Sequence, residues 1–229
     1  MKKINVQIKI IKSILLFLFF LIYTTLVSLV DLKPIGPTKT NVGFSTINQF
    51  FVEKIGVHAI FIKITDVLAI ISFLVIAYFA LLGLKQLITR KSIKKVDYQI
   101  IAMGFLYVAL GVFYIIFEKI VINYRPVLID DVLEASYPSS HTMLAVTVFG
   151  AAIFEIRRLF TERQTVAKFL TVLFSIIIVI SVIGRLLSGI HWFTDIVGGV
   201  ILSAFLVYTY KAAVDIIGFK KLSAENTIE

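Results

Sequence analysis

Three short polar clusters lie far apart in an otherwise apolar chain of 229 residues. They are Tyr124–Pro126, Pro138–His141, and a third set made of Arg185, His191 and Asp195. Arginines can hold a phosphate group, one histidine can attack the phosphorus atom, and a second histidine can protonate the leaving oxygen. The clusters therefore predict phosphoryl-transfer chemistry. Because the sequence between them is strongly apolar, we expect this chemistry at a membrane and on a lipid substrate.

The composition is that of a membrane protein. Hydrophobic residues make up 59% of the chain and charged residues only 16%, and the mean hydropathy is +0.97. A soluble domain of this length could not bury so much apolar surface. The net charge of +9 is spread over several segments, so lipid headgroups explain it without a nucleic-acid partner. The lack of cysteine excludes thiolate chemistry and disulfide bonds.

The apolar runs predict an all-α fold, with six transmembrane helices in one bundle and a single domain over residues 1–229. Three runs approach the roughly 20 residues that cross a bilayer: Ser13–Val30, Val67–Leu84 and Tyr98–Phe117. Three shorter runs reach that length only by including a charged or motif residue, which usually marks a functional site: Thr142–Phe154, Phe169–Gly184 and Ile196–Tyr210.

The N-terminal third of the chain raises two further points. We interpret the first apolar run as a span, because it is longer than the core of a signal peptide and no cleavage motif follows it before Asp31. The segment 31–58 has prolines and glycines that predict an irregular loop. Apolar residues spaced along the segment after Asn41 predict a short helix on the outer surface.

The basic residues predict the orientation. With a cytoplasmic N-terminus, sixteen of the 23 lysines and arginines fall on the inside. These are Lys2, Lys3, Lys9, Lys12, Lys85, Arg90, Lys91, Lys94, Lys95, Arg157, Arg158, Arg163, Lys168, Lys211, Lys220 and Lys221. The positive-inside rule then predicts a multi-pass protein of the cell membrane with both termini cytoplasmic. All three polar clusters would lie at the outer face.

His191 and Asp195 are four residues apart, a spacing that puts both side chains on one face of a helix entering the sixth span. A carboxylate that accepts a proton from one imidazole nitrogen fixes the tautomer and leaves the other nitrogen free to attack phosphorus. On its own this spacing is a weak signal, and it is more typical of a polar pair at the membrane interface.

Pro138–His141 stands where an outer loop becomes the fourth span. A serine at that point is commonly a helix cap. The same helix start is also an anion site, because its backbone N–H groups are free and the helix dipole is positive there. His141 in the first turn could protonate a departing oxygen.

Arg125 and Arg185 lie at the outer ends of the third and fifth spans. A single arginine in such a position commonly reaches towards the headgroups. Two of them at the depth of both histidines favour a phosphate clamp, since planar guanidinium groups match phosphate oxygens.

As a set, these residues resemble the type 2 phosphatidic acid phosphatase superfamily, which includes the vanadium haloperoxidases and bacterial acid phosphatases. The family pattern is Lys-x6-Arg-Pro, then Pro-Ser-Gly-His, then Ser-Arg-x5-His-x3-Asp. Arg125-Pro126, Pro138-Ser139-x-His141 and Arg185-x5-His191-x3-Asp195 match it in order and spacing. Ser140 replaces the motif glycine, and Gly184 replaces the motif serine.

The resemblance implies a membrane lipid phosphatase that works through a phosphohistidine, without metal or cofactor. His191 would attack, Asp195 would orient it, and His141 would protonate the leaving group. The residues expected to bind the phosphate are Arg125, Arg185, Ser139, Ser140 and Lys119. Undecaprenyl diphosphate, phosphatidylglycerophosphate and phosphatidic acid all fit as substrates, and the oligomeric state is open.

The first motif departs from the family at its lysine. Glu118 occupies the expected position, and Lys119 is one place late, about 100° round a helix. Either Lys119 reaches the phosphate through a local distortion, or two arginines form the whole clamp. The departure keeps a second function open, a non-catalytic lipid-phosphate binder or flippase-like protein. A transporter is the weakest alternative, because the charges collect at one face.

Other charged residues have simpler interpretations. Lys63 and Asp66, three residues apart near the start of the second span, would pair with each other. The group Asp130, Asp131 and Glu134 is typical of an acidic outer loop rather than of a metal site.

Overall fold

The computed structural model describes residues 2–225. Met1 and residues 226–229 lie outside that range, and with them the extreme ends of the predicted single domain and both predicted cytoplasmic termini. The helices are α1 Lys2–Leu29, α2 Ser45–Ile55, α3 Ala59–Arg90, α4 Tyr98–Lys119, α5 Ser140–Leu159, α6 Gln164–Leu187 and α7 Phe193–Glu225. Two short antiparallel strands, β1 Lys33–Ile35 and β2 Thr40–Val42, follow α1, with Lys33 opposite Val42.

Within residues 2–225, five helices are long and apolar enough to cross a bilayer. Their spanning parts are Val6–Leu29, Ala59–Arg90, Tyr98–Lys119, Gln164–Leu187 and Phe193–Lys221. The remaining long helix, α5, has 20 residues, enough for about 30 Å of bilayer at 1.5 Å per residue. The predicted all-α membrane bundle is confirmed, with five apolar spans and a more polar α5 in place of six equivalent spans.

The polarity of α5 follows from its central position. It packs against α3, α4, α6 and α7, so it presents little surface to lipid. Small residues such as Ala145, Ala151 and Ala152 are buried along it and allow neighbouring helices to approach closely. A helix enclosed by other helices can carry polar side chains that lipid would not tolerate.

Successive long helices run in opposite directions. At one end of the bundle, Lys9 near the start of α1 forms an ion pair with Asp215 near the end of α7. At the other end, the Tyr23 hydroxyl donates to the Thr194 carbonyl oxygen at 3.2 Å. The starts of α3, α5 and α7 therefore meet the ends of α4 and α6 at this second end, which we call the site end.

The predicted short helix after Asn41 is confirmed as α2. Its buried Asn48 donates to the Thr194 hydroxyl at 2.9 Å and accepts from the Thr194 backbone N–H at 3.1 Å. Phe51 stacks on Phe193 with the ring centroids 4.4 Å apart. These contacts fix α2 to the start of α7, beside the residues of the third motif.

One boundary matters for the site. The second span was predicted to begin at Val67, but α3 begins at Ala59. Thr65 and Asp66 therefore lie inside this helix near its N-terminal end, at the site end of the bundle.

Candidate active site

Residues from all three motif regions converge at the site end. Arg125, Ser140 and His191 line one cleft, together with Ser136 and Glu118. The loop 120–139 supplies two of these residues, the start of α5 supplies one, and the turn before α7 supplies His191. The cleft thus combines a cation, hydroxyl groups and an imidazole.

The turn that carries His191 is fixed by a glycine. Gly189 has a φ of +71°, and a Cβ there would lie 2.0 Å from the carbonyl oxygen of Gly56. Only glycine fits both the left-handed backbone and the close approach. On the other side of His191, the Trp192 indole N–H donates to the Tyr124 carbonyl oxygen at 2.6 Å, which ties the turn to the first motif.

His191 and Asp195 do not make the predicted direct hydrogen bond. His191 precedes the first residue of α7, so the two residues do not share a helix face, and His191 Nδ1 lies 3.7 Å from Asp195 Oδ2, too far for a hydrogen bond. Ser136 lies between them: its hydroxyl donates to Asp195 and is 3.1 Å from His191 Nδ1. The backbone N–H of Trp192 also donates to the carboxylate, at 2.9 Å.

The contacts of His191 define its tautomer. Arg125 Nη1 lies 3.2 Å from Nε2, and a guanidinium can only donate, so Nε2 accepts and the ring proton is on Nδ1. Nδ1 in turn lies 3.1 Å from the carbonyl oxygen of Ser136, a suitable acceptor. The lone pair of His191 Nε2 therefore faces the Arg125 guanidinium across the cleft.

The surroundings of His191 also keep the ring neutral. The side chain is buried, and this burial lowers its pKa well below the ordinary value, with the positive charges of Arg125 and Arg185 acting in the same direction. A neutral imidazole is the form that can attack phosphorus.

Arg125 is held from two sides. Its backbone N–H donates to the Glu134 carbonyl oxygen at 3.1 Å, and its Nε lies 3.0 Å from the Glu134 carboxylate. Despite that ion pair, the Nε proton makes no directed hydrogen bond to any residue of the described range 2–225. Glu134 therefore belongs to the site and is more than part of an acidic loop.

Arg185 and His141 meet at Asp66. Arg185 Nη1 donates to the Thr65 hydroxyl at 3.0 Å and to Asp66 Oδ1 at 3.4 Å, while His141 Nε2 lies 3.0 Å from the same Oδ1. The predicted pair of Lys63 with Asp66 is therefore wrong. Asp66 faces the neighbouring helices α5 and α6, because α3 begins early enough to bring it to the site end.

The two motif serines differ in their surroundings. Ser139 is buried; its backbone N–H donates to the Asp195 carbonyl oxygen at 3.0 Å, and its Oγ accepts from Thr142 at 3.1 Å. These contacts fix the start of α5 against α7, and the contact of Ser139 with phosphate stays a prediction. Ser140, the first residue of α5, lines the cleft.

At the end of α4 it is Glu118 that lines the cleft, as the helical offset from Lys119 implies. Lys119 is exposed and is not among the residues that line the cleft. Whether it reaches the phosphate of a bound substrate stays a prediction.

Sequence reasoning missed Ser136, Asp66 and Asn123, whose side-chain amide lies 3.3 Å from Asp195. Ser136 and Asn123 belong to no recognisable sequence pattern. The fold of the loop 120–139 brings their side chains to Asp195. Asp66 had a usable signal: an ionisable residue at the edge of an apolar run is costly and usually has a partner in the protein. Among residues 2–225, no group of three or more His, Asp or Glu side chains is arranged to hold a metal.

Comparisons with known proteins agree with this geometry. The PAP2 superfamily matches the chain over residues 117–216, a range that contains all three motifs. No curated protein sequence matches the chain. Among solved structures, the chain is similar to a transmembrane PAP2-type phosphatidylglycerolphosphate phosphatase from Bacillus subtilis, with a TM-score of 0.62 and 20% identity over 90% of this chain and 97% of that chain. At this identity the likeness describes the fold. Taken with the family match over residues 117–216 and the geometry of the site, it supports the assignment of the chain to the PAP2 superfamily.

Proposed function

We propose that the chain is an integral membrane lipid phosphatase that hydrolyses a lipid phosphate monoester or diphosphate through a phosphohistidine. The observation that carries the proposal is the lone pair of His191 Nε2, which faces a cleft where Arg125 offers guanidinium protons. A neutral nucleophile beside a fixed cation is the arrangement that attack on a phosphate needs.

In the first half-reaction, the substrate phosphate takes the place of the direct contact between Arg125 and His191. Arg125 and Arg185 bind its oxygens, and Ser140 at the start of α5 adds a hydroxyl group and a helix N-terminus. The predicted contacts of Ser139 and Lys119 would add to this clamp. His191 Nε2 forms a bond to phosphorus, the bond to the leaving oxygen breaks, and a proton from His141 moves to that oxygen.

The second half-reaction releases phosphate. His141, now neutral, takes a proton from water, the resulting hydroxide attacks phosphorus, and the bond to His191 Nε2 breaks. Ser136 and Asp195 keep the Nδ1 proton of His191 in place throughout, since Asp195 orients Ser136 and Ser136 accepts from Nδ1.

Two features support a lipid as the substrate. The cleft lies at one end of an apolar bundle. An apolar cavity of about 350 Å³ among α3, α4 and α5 is lined by Phe73, Leu110 and Leu144 and reaches Ser140 and His141. A substrate whose phosphate lies in the cleft could place an acyl or prenyl chain there.

The substrate class rests on these features and on the likeness to the Bacillus subtilis enzyme. Phosphatidylglycerophosphate, phosphatidic acid and undecaprenyl diphosphate all carry a terminal phosphate on an apolar body. The basic residues at the opposite end of the bundle support a site that faces the outside, with cytoplasmic termini.

A specific observation favours a second candidate function. Glu118 contributes a negative charge to the cleft where the family has a lysine, which would weaken transition-state stabilisation. A non-catalytic lipid-phosphate binder or flippase-like protein would tolerate that charge.

Phosphate release by the purified protein in detergent, measured over a panel of lipid phosphates and diphosphates, separates the two functions. A phosphatase releases phosphate from at least one of them, and acid-labile label from a ³²P substrate appears on His191. A protein that binds the lipids but releases no phosphate from any of them is a binder.

A further inference from the structure

Asp66 contacts two groups that have different roles in the proposed reaction: Arg185 binds the phosphate, and His141 protonates the leaving oxygen. One oxygen, Oδ1, lies 3.0 Å from His141 Nε2 and 3.4 Å from Arg185 Nη1. His141 comes from α5 and Arg185 from α6, so a residue of α3 joins two helices of the site. Asp66 also lies outside the matched range 117–216.

The burial of the three groups differs. The side chain of Arg185 is 3% exposed and that of His141 26%, whereas that of Asp66 is 51% exposed. A carboxylate whose only task was to neutralise a buried arginine would be expected to be buried with it. Asp66 instead keeps about half of its side chain exposed, and it contacts His141, the group that must exchange protons with water between turnovers.

The geometry limits how His141 can act. A carboxylate can only accept, so the proton of Nε2 is directed at Asp66 and Nδ1 is the nitrogen left to donate to a leaving oxygen. Burial and the neighbouring arginines oppose a positive charge on this ring, and the carboxylate at 3.0 Å offsets part of their effect. Asp66 is thus placed to orient the acid and to favour its protonated form.

We propose that Asp66 is a positioning residue for leaving-group protonation: it holds His141 through Nε2 so that the Nδ1 proton is delivered to the departing oxygen. The inference rests on the proposed phosphatase function. Proton transfer matters for an alkoxide leaving group, which is strongly basic, and hardly at all for 4-nitrophenolate, which departs without a proton. The leaving group therefore distinguishes this role from a structural one.

The experiment compares kcat/KM of Asp66→Asn with that of the unmodified protein on dodecyl phosphate and on 4-nitrophenyl phosphate. This ratio reports steps up to formation of the phosphohistidine. We expect a loss of about 100-fold on the alkyl ester, within the range of general acid catalysis, and a loss at least 10-fold smaller on the aryl ester. Asp66→Glu should recover part of the activity on the alkyl ester. Asp130→Asn is the matched control, since it is the same substitution in the outer loop and asparagine tolerates its φ of +49°.

The possible results of this experiment distinguish failure of the proposed function from failure of the inference about Asp66. If the unmodified protein hydrolyses neither ester nor any lipid phosphate, the proposed function fails. If it is active and Asp66→Asn loses the same factor on both esters, Asp66 only positions Arg185 and the inference is overturned. Higher activity of Asp66→Asn would also overturn the inference, because Asp66 would then hold the substrate-free site in an inactive arrangement. Activity on the aryl ester shows that the variant is folded.

Discussion

The two histidines of the site are held in opposite ways. His191 is 2% exposed and is fixed by a glycine turn, by Ser136 and by the loop that carries Arg125. His141 is partly exposed and lies on the first turn of α5, with the Asp66 carboxylate 3.0 Å from its Nε2. The difference fits the two proposed roles: a nucleophile needs one tautomer and one orientation, whereas an acid that later becomes a base must exchange its proton with water.

The largest decrease in activity is expected when His191, the buried histidine, is removed. His191→Ala should lower kcat/KM for phosphate release by at least about 1,000-fold, because the substitution removes the nitrogen that would form the bond to phosphorus. His58→Ala is the matched control, since the His58 ring contacts the Ile55 carbonyl oxygen and the Phe61 ring, away from the residues of the proposed reaction. Appreciable turnover by His191→Ala would disprove the covalent mechanism.

Removal of His141, the partly exposed histidine, should lower kcat/KM by a smaller factor, and this factor should depend on the substrate. His141→Ala should lose about 100- to 1,000-fold on an alkyl phosphate. On 4-nitrophenyl phosphate the first step should survive, and the phosphohistidine should accumulate because no base activates water. The measurement is a burst of 4-nitrophenolate with covalently bound ³²P. A variant that shows neither a burst nor label would mean that the two histidines do not divide the work in this way.

The sequence predicted much of this arrangement, and its errors have a common cause. Patterns within one segment identified the spans, α2 and the three motifs, since helical periodicity and motif spacing are local properties. The bridge through Ser136 and the contacts of Asp66 depend on how distant segments pack. The expected helix face for His191 and Asp195 failed because α7 begins at Phe193, and helix ends are the least certain part of a sequence-based prediction.

A third prediction concerns the support of His191. Ser136→Ala removes the hydroxyl between Asp195 and Nδ1, and Asp195→Asn removes the charge that orients it. Each should lower kcat by about 10- to 100-fold, less than His191→Ala, because the attacking atom remains. Ser72→Ala, which deletes a buried hydroxyl that donates to the Leu68 carbonyl oxygen of its own helix, is the control. If Ser136→Ala leaves kcat unchanged while Asp195→Asn lowers it, the Asp195 carboxylate acts directly on the His191 ring in the substrate complex.

The smallest effect is expected at the end of α4. There the substrate phosphate would lie near either a cation, Lys119, or an anion, Glu118. If Lys119 binds the phosphate, Lys119→Ala should cost about 1 to 3 kcal/mol of transition-state stabilisation, as other charge-assisted bonds do. Since Glu118 lines the cleft and Lys119 does not, we expect the rate to be nearly unchanged. Glu118→Lys should raise kcat/KM by placing a cation beside Arg125, and Glu118→Gln should give part of that gain by removing the negative charge alone. Both comparisons use kcat/KM with one lipid substrate in one detergent. A large loss in Lys119→Ala would show that the end of α4 rearranges when substrate binds, and that the clamp holds three cations instead of two arginines.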